Sequence, residues 1–157
     1  QSLDAVAESF RKRAIQAAIG RPGQGLRGLS ATKRQADLAR GVAELHPGRP
    51  VTHYSDVALA ALLLRDHDAA RAFAADELGR LARDTKATAV LRATLAAFYA
   101  DGQDRSRTAR QLSLHRNTVA NRLRRAEELL GRPVDQRVRE VEAALVIVDS
   151  LPVERGR

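Results

Sequence analysis

From Ser55 to Ser150 apolar residues return every three or four positions almost without interruption, the spacing that gathers them on one face of an α-helix. A chain with that period over most of its length must bury its stripes by packing helix on helix. The punctuation divides the stretch into Asp56–Leu64, Ala69–Arg83 and Thr85–Tyr99, the last with Leu91, Leu95 and Phe98 on one face. Asp101-Gly102-Gln103-Asp104 closes that helix, with glycine in its usual stopping place. Three more segments follow: Arg105–Leu112, His115–Leu130 and Asp135–Ser150, the last with Val138, Val141, Leu145 and Val148 as its buried stripe.

Ahead of Ser55 the pattern is mixed. Leu3, Val6, Ala7 and Phe10 mark a helical face over Ser2–Arg13, and Ala14–Ile19 suits a strand. Gly20-Arg21-Pro22-Gly23-Gln24-Gly25 breaks both periods and reads as a plain connector; it lacks the Gly-Lys-Ser/Thr ending of a phosphate-binding loop. A second amphipathic segment is expected to start behind Ser30 or Thr32 as N-cap, with Ala36, Leu38, Ala39, Val42 and Leu45 along its face. His46-Pro47-Gly48-Arg49-Pro50 ends it, and Pro50–Tyr54 reads as a brief strand. Two short strands are too little sheet to close a domain, so residues 1–54 are expected to be the tail of an α/β domain and residues 55–157 a helical domain. The chain begins at Gln1 and has no methionine, so a natural start further upstream is expected.

The 157 residues carry a formal charge of +8, which favours a polyanionic partner, nucleic acid or an acidic membrane surface, over an acidic protein. Without cysteine there are no disulfides, thiolate zinc sites or cysteine nucleophiles, and a reducing compartment is permitted. The longest apolar run, Val57–Leu64, is far too short to span a bilayer, and nothing at the start reads as a signal peptide. A cytoplasmic protein with no membrane partner is expected.

Between Arg105 and Leu130 two helical segments are joined by Ser113-Leu114, with Ala109, Leu112, Leu114, Val119 and Leu123 turned inward. A small residue at Ala109 lets the helices cross closely, as a helix-turn-helix requires. Advancing about 100° per residue from Val119 brings Leu123, Ala126 and Leu130 to the same side, while Asn117, Asn121, Arg124 and Glu128 point away and Arg116 and Arg122 flank that outer face. Asparagine can bond adenine with two contacts and arginine guanine, so this surface suits the major groove of duplex DNA. Eight arginines stand against four acids from Asp101 to Arg132, a net of 8 − 4 = +4, half the excess charge of the chain. The same arginines also fit an ordinary solvated face on a helical hairpin. The overall fold class is therefore mainly α: a C-terminal helical bundle containing a helix-turn-helix, preceded by a small α/β fragment.

Thr94-Leu95, then Thr108-Ala109-Arg110-Gln111-Leu112-Ser113-Leu114-His115-Arg116-Asn117-Thr118-Val119, then Arg122-Leu123 and Leu129-Leu130-Gly131 resemble the C-terminal helix-turn-helix of PucR-type regulators. The family pattern usually has tyrosine before the arginine, where this chain has Asn121, which leaves the fold intact and bears on base preference. The resemblance extends over about residues 54–151, and residues 1–54, with Gly28-Leu29-Ser30, resemble the end of the GGDEF-like middle domain of the PucR and CdaR group. It implies a bacterial transcription factor that controls a catabolic or biosynthetic operon, acts as a homodimer, and takes any small-molecule effector through a region outside this fragment.

On that reading Arg116, Asn117 and Asn121 read bases, Thr118, Arg122, Arg124 and Arg125 contact the DNA backbone, and His115 caps the second helix or touches phosphate. No catalytic residue, cofactor or metal is expected: His46, His53, His67 and His115 are scattered without ligand spacing, no Gly-Gly-Asp/Glu-Glu-Phe string supports cyclase chemistry, and no nucleophile elbow is present. Three phenylalanines and two tyrosines at core spacings argue against stacking platforms for single strands, which leaves double-stranded DNA as the favoured partner. Two alternatives stay open: a protein-interaction or dimerisation module, and a non-specific architectural DNA-binding protein.

Overall fold

The computed structural model describes residues 16–46 and 49–151. The helix expected over Ser2–Arg13 and the first part of the strand expected over Ala14–Ile19 lie outside the described residues. The described residues divide into two compact units, one built on residues 16–66 with residues 150–151, the other on residues 67–149.

In the first unit β1 (Ala17–Ile19) and β2 (Val51–His53) form a two-stranded parallel sheet with Ala17 opposite Val51, Ala18 opposite Thr52 and Ile19 opposite His53. Parallel strands need a long crossover, here α1 (Gly25–Glu44). It starts a turn or more before the Ser30 or Thr32 cap that the sequence suggests, with Gln24 at the N-cap. Both hydroxyls are spent otherwise: Ser30 donates to the Leu26 carbonyl at 3.0 Å, and Thr32 donates to the Arg21 carbonyl at 2.6 Å. The glycine run also does more than connect, because a Cβ on Gly20 would stand 2.1 Å from the Thr32 carbonyl oxygen. That close approach folds the run back onto α1. The chain turns directly from β2 into α2 (Tyr54–Leu63), so Tyr54 is the first helical residue and not the last of the strand. α2 packs on α1, and Ala39, Val42, Ala43, Val57, Ala60 and Ala61 form the buried surface of these helices.

The second unit begins with α3 (His67–Leu78) and a single 3₁₀ turn over Gly79–Ala82. The sequence reads as one helix from Ala69 to Arg83, but Gly79 takes a left-handed φ of +52° and breaks it. The break rotates Leu81 into complete burial. α4 (Lys86–Ala100) starts at a capping box in which the Thr85 and Thr88 hydroxyls each accept from the other's backbone N–H. α5 (Arg105–Gln111), α6 (Arg116–Leu130) and α7 (Val138–Ser150) follow, the last burying Val141, Ala144, Leu145 and Ile147. Val138 and Val148, expected in that stripe, are half-buried.

Leu78, Leu81, Leu95, Val119 and Val141 are almost fully enclosed, and so are Thr94 and Thr108. The threonine hydroxyls bond back into their own helices, Thr94 to the Val90 carbonyl at 2.8 Å and Thr108 to the Asp104 carbonyl at 2.9 Å, so neither leaves an unpaired donor in the core. Arg92, 5% exposed, donates from Nη1 to the Leu81 and Arg83 carbonyls at 3.0 and 2.9 Å and ties the 3₁₀ turn to α4.

A second polar node fixes the loop after α6. Glu77 on α3, nearly buried, accepts from Arg132 at 2.7 Å and from Arg137 Nε at 3.1 Å, with a further bond from Arg137 Nη2. The Arg137 hydrogen bonds, with the charges of both arginines, hold its carboxyl below the ordinary glutamate value of 4.5 against the opposing effect of burial. A carboxylate whose pKa is lower folded than unfolded binds fewer protons in the native state, so stability rises with pH in that window. The contribution of Glu77 is fully present above pH 4.5 and fades as pH falls through the lower folded value. Urea unfolding of the wild type and Glu77→Gln is expected to show a clear gap at pH 7 that closes toward pH 3. An equal gap at both pH values would remove the node from the account.

The link between α5 and α6 generates another expectation. Ser113 holds a left-handed φ of +53°, where a β-carbon is costly and a β-branched side chain more so. Ser113→Gly should raise or preserve stability, whereas Ser113→Val should lower it by about 1–2 kcal/mol, both read by thermal unfolding.

Candidate nucleic-acid interface

α5, α6 and the four residues between them, Leu112 to His115, form the helix pair expected from the sequence. Asp104 caps α5 by accepting from the backbone N–H groups of Ser106 at 2.7 Å and Arg107 at 3.1 Å, bonds that hold its carboxyl below the usual aspartate range. After Gln111 the chain turns through Ser113, and the Leu114 N–H donates to the Ala109 carbonyl at 2.8 Å. Ala109 is buried, as a close approach of the two helices demands, while Leu112 and Leu114 are half-buried. His115 caps α6, its Nδ1 accepting from the Asn117 N–H at 3.2 Å. His115 therefore sits where α6 begins.

α6 is held from behind. Val119, Leu123, Ala126 and Leu130 are buried, and α3, the 3₁₀ turn, α4 and α5 all pack against this helix. At its far end Arg80 donates to the Glu128 carbonyl at 3.0 Å. The opposite face is open: Asn117, Asn121, Arg124 and Glu128 are exposed. Asn121 and Arg124 lie side by side, Arg124 Nη1 3.5 Å from Asn121 Oδ1. Arg116, also exposed, borders a cleft of about 640 Å³ together with Phe98, Arg105, Ser106 and Val134. Val134, on the wall of that cleft, accepts from the buried Tyr99 hydroxyl at 2.6 Å, and burial pushes the pKa of that phenol up to about 12.

The structure does not bring every candidate to the same face. Thr118 is half-buried beside the cap, and Arg125 on the flank is ion-paired with Glu128 one turn on. Arg122 turns inward, half-buried, and donates from Nη1 to Thr94 Oγ1 on α4 at 3.2 Å. Three cations not singled out from the sequence, Arg105, Arg107 and Arg110, are exposed on α5, with Arg107 3.7 Å from Asp104. The local charge balance already contained them; the alternation of exposed and buried positions on a helix as short as α5 was too brief to assign a face.

Among the described residues no helix is long and apolar enough to cross a membrane, and no cluster of three or more histidine or acidic side chains could hold a metal ion. Residues 91–147 match the PucR C-terminal helix-turn-helix domain. Over 73 residues the chain is 41% identical to the transcriptional activator PmfR of Paenarthrobacter nicotinovorans, an overlap of 46% of this chain and 16% of that protein. The chain thus covers about a sixth of that relative. No solved structure matches. The capped helix pair and its buried seam form a helix-turn-helix, and residues 91–147, which contain it, are similar to the PucR C-terminal helix-turn-helix domain.

Proposed function

We propose that the chain is the DNA-binding part of a transcription regulator, with α6 entering the major groove of a specific duplex site. The observation that carries this reading is the exposed stripe of Asn117, Asn121 and Arg124 on a helix whose other side is locked into the core. Rigid backing matters because base readout depends on hydrogen-bond geometry, and a stripe free to roll would lose its register. In this reading Arg116, Asn117 and Asn121 meet base edges, while His115, Thr118, Arg124 and Arg125 contact phosphates. The charge of +8 supplies the sequence-independent attraction that every such complex draws on.

The wider reading follows the family resemblance. The protein controls a catabolic or biosynthetic operon, a sensor region upstream binds any small-molecule effector, and two copies bind paired half-sites because one helix-turn-helix makes a small interface. The parallel β1–α1–β2 unit supports the view that residues 1–54 are the end of a GGDEF-like middle domain.

The test is selection of genomic fragments by the purified chain at about 0.15 M salt, followed by affinity measurements on the selected and on random duplexes. Replacing Asn117 and Asn121 together by alanine should cut discrimination between the two at least tenfold or so, since a good bidentate base contact is worth about 1–3 kcal/mol. Arg125→Ala should weaken both duplexes alike and lower the salt slope by about one. Retention of all fragments without preference would instead mark an architectural protein, and equal losses on both duplexes for both sets of variants would defeat the assignment of base readers.

A further inference from the structure

Arg122 stands apart from the other cations of α6. At about 100° per residue it lies about 140° from Asn117, 100° from Asn121 and 160° from Arg124, on the margin of the buried stripe and away from the groove-facing side. Its neighbours one turn away on the same helix, Val119 and Ala126, are completely buried. The guanidinium reaches α4, where Nη1 donates to Thr94 Oγ1 at 3.2 Å.

Thr94 is an unusually well-defined partner. It is 1% exposed, and its single hydroxyl hydrogen is already given to the Val90 carbonyl at 2.8 Å. Only acceptor capacity is left on that oxygen, and a guanidinium has only donors. If Arg122 swung out to a phosphate, the buried hydroxyl would lose the donor that satisfies it, a loss the bound state would have to offset. Arg125 carries no such constraint: its side chain is 63% exposed and its partner Glu128 is itself half exposed.

We infer that Arg122 is a positioning residue, holding α6 at a fixed rotation on α4 through the Thr94 hydroxyl, and is not one of the phosphate contacts. The inference rests on the duplex-DNA reading above and deepens it, since the rotation of α6 decides which edges Asn117 and Asn121 meet and where Arg124 falls against the phosphates. The bond acts as a stop against rolling about the helix axis. Burial of Val119, Leu123 and Ala126 favours one broad orientation, and a directional bond at the stripe's margin narrows it.

The experiment compares wild type, Arg122→Ala, Thr94→Val and the double variant on the selected duplex and on random duplex across a range of salt, with thermal unfolding alongside. Thr94→Val keeps the shape of the side chain and carries the test should Arg122→Ala fold poorly. The expected result is a loss of roughly tenfold in preference for the selected site in each single variant, of the size a hydrogen bond to a charged group supports, no further loss in the double, and an unchanged salt slope. A slope lowered by about one in Arg122→Ala, with Thr94→Val indistinguishable from wild type, would make Arg122 a phosphate contact and overturn the inference. Additive losses in the double variant would overturn it too. If the wild-type chain selects no DNA, the proposed function itself fails, and additive unfolding effects of the two substitutions would then refute the Arg122–Thr94 tie separately.

Discussion

The burial of Val119, Leu123, Ala126 and Leu130 along one side of α6 is the constraint on which the candidate interface depends. Each such larger side chain taken out of water contributes about 1.5–3 kcal/mol, and all four lie within one stripe, so rolling the helix would expose several at once. The orientation of the polar face follows from that of the apolar one. Asn117, Asn121 and Arg124 are presented outward because the positions opposite them are claimed by the core.

Polar ties sharpen what hydrophobic burial leaves broad. Arg80 holds the Glu128 carbonyl, Arg122 meets Thr94, and Arg132 and Arg137 converge on Glu77. Glu77 and Thr94 are enclosed with their partners in place, while buried Arg92 sets Nη1 on two carbonyls and holds Nε 3.8 Å from the Asp149 carboxylate without a hydrogen bond. Arginine serves two purposes in this chain. Some guanidiniums, such as Arg124, stand in solvent where a polyanion can reach them, and others work inside the unit as multidentate clamps on carbonyl oxygens and a carboxylate.

Much of this architecture was legible in the sequence. The helical period located α3, α4, α6 and α7 because a stripe repeated over several turns outweighs local noise, and the stop at Gly102 and the cap at His115 are local chemistry. The family resemblance over Thr108–Val119 was visible for the same reason: the residues that build the turn are adjacent in sequence. What escaped notice depends on distant partners. Gly79 looks tolerable within a helix until its own conformation and the approach of Leu129 are known. Arg122 sits on the border between faces, where its long side chain can turn either way; Thr94, 28 residues earlier, settles it. Glu77 meets arginines 55 and 60 residues downstream, a pairing with no local sign. The start of α1 was misjudged because Ser30 and Thr32 resemble caps by type, whereas their hydroxyls bond to carbonyls.

The central claim is that α6 meets the edges of base pairs in the major groove. Methylation interference with dimethyl sulfate on a bound duplex addresses it directly, since the reagent marks guanine N7 in the major groove and adenine N3 in the minor groove. The account predicts that methylation of particular guanines at N7 abolishes binding by the wild-type chain while adenine N3 methylation is tolerated. Interference confined to adenine N3, or none at any base, would contradict it.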